Sequence, residues 1–214
     1  MVVLLVILTV AVVISYQLVA ESRGLKKASD LSPAASGDAI SSHLFVHGGH
    51  TWAQLDTSGE AKVGIDHFLF RILGGVDKVS LPEPGRQVRQ GEKVFTVSRQ
   101  GRELSLVAPI EGVVASVNGA ADKFSGKESL YKSGWLFTIR PRNLSQSLRN
   151  VKNLDAASSW IEAETRRFSS FLVAGSPRLA EVGVTLQDGG HYPAGVIEKL
   201  DEEQLKAFEQ EFLS

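Results

Sequence analysis

Residues 91–109 read GEKVFTVSRQGRELSLVAP. This stretch divides into a strand over Lys93–Ser98, a turn at Gln100–Gly101 and a returning strand over Glu103–Val107. Glycine permits the positive φ that a tight hairpin turn demands, so the segment predicts a hairpin with a bare tip. Arg99 and Arg102 flank that tip. Two guanidiniums on an exposed loop can contact a carboxylate, a phosphate or an acidic partner surface. As plain solvated turn charges they contribute little on their own. Arg99, Gln100, Gly101 and Arg102 are therefore the candidate interaction residues.

The same pattern extends on both sides. Strands are expected at His43–His47, Thr51–Leu55, Ala61–Ile65 and Lys78–Leu81, then at Gly112–Val117 and Trp135–Arg140, with Gly48–Gly49 and Thr57–Ser58–Gly59 as turns. In Ala61–Ile65 the residues Ala61, Val63 and Ile65 alternate with Lys62 and Gly64. Asp66 can cap a short helix over His67–Leu73, which Gly74–Gly75 ends. Pro84–Gly85 with Gly91–Glu92 before one strand, and Pro109–Gly112 before another, form a faint internal echo. Many short strands with turn signals between them predict a mainly β domain, a small sandwich or barrel.

Beyond Pro141 the pattern becomes helical. Asn153 can cap a helix from Leu154 to Phe171, whose Ala157, Trp160, Ile161 and Ala163 are expected to pack on the sheet. Gly175–Ser176–Pro177 then interrupts the chain, followed by a short segment, Val182–Leu186, and the turn Asp188–Gly190. Asp201 and Gln204 form a capping-box pair for a terminal helix that carries Leu205, Phe208, Phe212 and Leu213 near one face. That face requires a partner, either the domain itself or another protein.

Met1–Ala20 reads MVVLLVILTVAVVISYQLVA. A helix of about 20 residues spans roughly 30 Å, the hydrocarbon thickness of a bilayer. A cleaved signal peptide is the alternative, but no Lys or Arg precedes the apolar run, and Leu18 occupies a position where a cleavage site wants a small residue. Arg23, Lys26 and Lys27 follow the segment, so the body is expected on the cytoplasmic side of a bacterial inner membrane. The resulting division is a transmembrane anchor over 1–20, a Ser/Ala/Gly-rich linker over 21–42, a domain over 43–174 and a C-terminal extension over 175–214.

Net charge and composition exclude several functions. A formal net charge of −1 supplies no broad basic field to gather nucleic acid. The absence of cysteine removes disulfides, thiolate metal sites and thiol nucleophiles together. His43, His47 and His50, with no carboxylate close by, are expected to be surface and packing histidines rather than metal ligands. Trp52, Trp135 and Trp160 are expected to pack in the core or at its edge. Gly126–Lys127 lacks the upstream glycine and the following Ser or Thr of a phosphate loop. No catalytic or metal site is expected.

The ordered series His50–Thr51–Trp52, Val63–Gly64–Ile65–Asp66, Leu73–Gly74, Val79–Gly85, Gly91–Glu92, Ala108–Pro109, Gly112–Val114, Val117–Asn118 and Gly134–Trp135–Leu136 resembles the glycine cleavage system H protein family. The resemblance covers roughly residues 43–170 and implies the lipoyl-domain fold, a barrel-sandwich hybrid of two antiparallel sheets with flanking helices. It also implies a lysine at a hairpin tip that receives lipoate, in a context typically Glu-Ser-Val-Lys-Ala. Here those five positions are Ser98, Arg99, Gln100, Gly101 and Arg102, so Gly101 occupies the acceptor position. A guanidinium stays protonated and cannot substitute for the amine. Lys93, the nearest lysine, starts the incoming strand, roughly 26 Å from the tip at about 3.3 Å per residue. The expectation is a membrane-tethered, non-lipoylated, non-catalytic interaction scaffold with no cofactor and an unidentified protein partner. Two rivals stand beside it: a carrier modified on another lysine such as Lys93, Lys123 or Lys127, and an accessory subunit of a membrane redox or transport complex.

Overall fold

A computed structural model describes residues 43–121, 130–175 and 192–213. The expected anchor and linker, Val182–Leu186, Lys123 and Lys127 lie outside these residues. Among the described residues, no helix is long and apolar enough to cross a membrane.

Among the described residues, ten strands form two antiparallel sheets. The larger holds β1 (Leu44–His47), β2 (Thr51–Leu55), β3 (Ala61–Ile65), β5 (Gln87–Val88), β8 (Gly112–Val117), β9 (Phe137–Pro141) and β10 (Val151–Asn153), in the order β10-β1-β2-β3-β9-β8-β5. The smaller holds β4 (Lys78–Ser80), β6 (Lys93–Arg99) and β7 (Arg102–Val107), in the order β4-β6-β7. Alternation places Val97, Leu104 and Leu106 of the small sheet in one core with Val63, Val114 and Ile139 of the large one. Phe95 and Phe137 meet edge to face across it, centroids 5.3 Å apart. The barrel-sandwich expectation agrees with this architecture.

Helix α1 (His67–Leu73) begins at Asp66, whose carboxylate accepts the Leu69 amide at 2.9 Å, and ends at Gly74 in the left-handed conformation. After the short α2 (Leu144–Ser147), strand β10 leads into α3 (Leu154–Gly175), where the Asn153 side chain accepts the Ala156 amide. The buried face of α3 runs through Ala157, Glu164, Phe168 and Leu172, with Trp160 and Ile161 partly buried. Ala163 is exposed, contrary to the expectation from its apolar side chain, because the helical period turns position 164 inward instead.

The last helix, α4 (Glu202–Phe212), starts with the expected Asp201–Gln204 capping box. Its apolar face finds its partner within the same molecule. Phe208 and Phe212 are buried against Phe168 of α3, with centroids 5.5 and 5.7 Å away. Phe212 also stacks with Phe68 of α1 at 6.1 Å, and the Arg167 guanidinium sits 4.4 Å over its ring. Removing a buried aromatic side chain costs about 3–5 kcal/mol. Phe212→Ala should therefore lower unfolding free energy by about 3–5 kcal/mol in equilibrium urea unfolding. Val173→Ala on the exposed side of α3 should change it by about 0.5 kcal/mol or less.

Candidate functional site

Arg99 and Arg102 pair across the β6–β7 hairpin, which leaves Gln100 and Gly101 as a two-residue turn. Both turn residues have positive φ, +47° and +78°, the combination that defines a type I′ turn and matches the twist of the flanking strands. Glycine suits the second position; glutamine at the first is held there by its surroundings. The Gln100 amide donates to the Asp77 carboxylate at 2.7 Å, and Arg99 Nη1 donates to the same carboxylate. The Gln100 amide first, and then Arg99, hold the Asp77 carboxyl below the ordinary aspartate range. Asp77 also donates its own amide to the Ser98 carbonyl at 2.9 Å.

The four candidate residues thus come together as one apex, but they do not behave alike. Gln100 and Gly101 are exposed, and Arg102 is half-buried. Arg99 is not a solvated turn charge, contrary to the simplest reading of an exposed loop. It is engaged by Asp77 and lies 3.6 Å, Nε to Oε1, from Glu198 in the turn Val196–Lys199. Asp77 and Glu198 carry no local signal of this role, because only the folded chain brings them to the hairpin. No lysine occurs among the four apex residues, and Lys93 starts β6 at the far end of the strand.

The three histidines occupy different settings. His43 is exposed. His47 accepts the Gly49 amide at 3.0 Å, and burial, then the charges of Lys152 and His50, push it below the ordinary histidine value. His50 is fully buried, and the expectation that no carboxylate lies near is corrected here. Its Nδ1 meets Asp66 Oδ2 at 2.8 Å, and its Nε2 lies 4.0 Å from Glu164 Oε2. Its ring stacks with Phe68 at 4.2 Å and with Trp160 at 4.8 Å. Among the described residues, no group of three or more His, Asp or Glu side chains is placed to hold a metal ion. Trp52 is buried, with Nε1 donating to the Ile65 carbonyl at 2.8 Å; Trp135 and Trp160 pack partly buried against the same core.

A family model described as "Glycine cleavage H-protein" matches residues 44–163, more than half of the chain. The chain belongs to that family. Among its curated relatives is the glycine cleavage system H protein of Hydrogenovibrio crunogenus, 33% identical over 109 residues, covering 50% of this chain and 84% of that protein. A probable glycine cleavage system H protein of Thermococcus gammatolerans is 27% identical over 122 residues, covering 56% of this chain and 90% of the relative. A solved H protein from Mycobacterium marinum aligns at 25% identity over 50% of this chain and 94% of its own, with a TM-score of 0.42. The hairpin apex, Asp77 and the His50–Asp66 pair lie inside the H-protein match, whereas Glu198 and helix α4 lie beyond it.

The backbone of the turn makes a signed prediction. Asparagine adopts positive φ more readily than glutamine, so Gln100→Asn should raise stability, by up to about 1 kcal/mol. Gly101→Ala, at φ +78° with open space around it, should lower stability by about 1–2 kcal/mol through backbone strain alone. Paired urea midpoints with unchanged m-values check both signs.

Proposed function

We propose that this chain is an H-protein family member that docks rather than carries: a membrane-tethered, non-lipoylated, non-catalytic scaffold for protein interaction or assembly. The observation that carries the reading is the apex itself. In the register given by Gly91 and Pro109, the acceptor position falls on Gly101, which has no side chain to acylate. The neighbouring Gln100 carboxamide and the Arg99 and Arg102 guanidiniums offer no amine nucleophile. A lipoyl group does not fit these residues. The left-handed backbone at Gly101 supports the same reading, since a lysine there would be strained as well as new.

What remains at the apex suits binding. The β-hairpin exposes Gln100 and Gly101 and leaves Arg102 half-buried beside them on a backbone fixed by Asp77, and an arginine in such a place prefers a carboxylate or another planar anion. The apolar segment Met1–Ala20 is long enough to serve as the tether, and the positive residues after it favour the cytoplasmic face for the domain. A partner held this way meets the scaffold at the membrane, where tethering raises the effective concentration of both.

A competing reading keeps carriage and moves the acyl arm to another lysine. Family membership favours it, and Lys93 is exposed at the start of β6.

The scaffold reading predicts that the full chain stays in the membrane fraction after a high-salt wash. Captured from membranes in mild detergent, it should retain a stoichiometric partner that Arg102→Glu releases. Recovery of the chain in the soluble fraction, no partner at all, or a partner indifferent to Arg102→Glu would each count against it.

A further inference from the structure

Residues 192–213 lie beyond the family match yet are built into the domain. Tyr192, Val196, Ile197, Leu200, Phe208, Phe212 and Leu213 are each 2% exposed or less, and the buried aromatics of this group meet Phe68 and Phe168. The segment is pinned to α1 by a reciprocal pair of bonds. The Gly195 amide donates to the Arg71 carbonyl at 3.0 Å, and Arg71 Nε donates to the Tyr192 carbonyl at 3.1 Å. Gly74 and Gly195 touch backbone to backbone, so closely that a Cβ on Gly74 would fall 2.6 Å from the Gly195 Cα. Three residues after this contact, Glu198 points its carboxylate at Arg99.

We propose that this C-terminal segment is a clasp that immobilises the β6–β7 apex, with Glu198 as its contact residue. Asp77 holds Arg99 and Gln100 from the α1–β4 connection, and Glu198 holds Arg99 from the C-terminal turn. One guanidinium at the base of a two-residue turn is thereby gripped by carboxylates from two separate elements. Arg99 Nε is shielded from solvent and has no hydrogen-bond partner among the described residues, and the carboxylate it faces at 3.6 Å is that of Glu198. The Glu198 charge is therefore what offsets that donor's lost hydration. An apex that swings an attached arm gains from freedom at its base. An apex held on both sides instead offers a preorganised surface, which loses less conformational entropy when something binds to it. The clasp is a property of the folded chain and holds whether or not the apex meets a partner.

Hydrogen–deuterium exchange on the full chain in detergent tests it, with Glu198→Gln compared with Glu202→Gln. Glu202 is exposed in the first turn of α4 and serves as the control. Loss of one partly exposed ion pair should speed exchange of the amides over 98–103 by about two- to five-fold. Amides of β8 and β9 should keep their native rates, and Glu202→Gln should change none of them. Unchanged apex exchange in Glu198→Gln, the same change in Glu202→Gln, or acceleration spread evenly over both sheets would overturn the clasp.

Discussion

The buried hydrogen bond between His50 and Asp66 organises the rest of the molecule. His50 holds φ at +59°, a conformation that costs an L-residue roughly 1–2 kcal/mol and persists only where the surroundings over-determine it. Asp66 supplies that determination. One carboxylate oxygen takes His50 Nδ1, and the other caps α1 through the Leu69 amide. The β1–β2 turn and the start of α1 are thus locked to a single side chain. With α1 fixed, Phe68 stacks on His50 and on Phe212, and Phe212 on Phe208 at 5.3 Å. Lys152 closes the other end, its Nζ 4.4 Å over Trp160, which itself stacks with His50. A run of stacked rings thereby joins the family domain to a helix outside the family match. The polar side runs in parallel: Glu164 faces His50 Nε2 and pairs with Arg167, which donates to the Glu211 carbonyl at 2.7 Å.

Much of this fold was legible in the chain because its signals are local. Strands β1–β3 and β8, the Asp66-capped helix ended by Gly74 and the Asp201–Gln204 box depend on alternation and capping, which a few neighbouring residues encode. Strands β5 and β10 carry no such local signal. They have two and three residues and exist only because they pair with β8 and β1. The buried face of helix α3 departs from its apolar pattern at one position for a related reason. Glu164 looks like a surface residue until His50 and Arg167 supply its partners, whereas Ala163 simply lies on the wrong side of the turn.

The apex divides in the same way. The turn at Gln100–Gly101 could be read from two adjacent residues, and the structure gives both the backbone that such a turn requires. The fate of Arg99 could not be read, because Asp77 and Glu198 reach it from two distant elements. That difference alters the chemistry on offer. A pair of solvated arginines would present diffuse positive charge, whereas an engaged Arg99 leaves the exposed Gln100–Gly101 backbone and the half-buried Arg102 at the apex. An H-protein framework with no lysine at this apex and with Arg99 engaged by carboxylates is the basis for proposing that the chain holds a partner rather than moving a group.

The most direct test of that distinction is the intact mass of the full chain purified from its native cells, followed by peptide mapping of every lysine. The account predicts unmodified lysines throughout, Lys93, Lys123 and Lys127 included. A lipoyl or other acyl increment on any of them would contradict it and return the chain to the carriers.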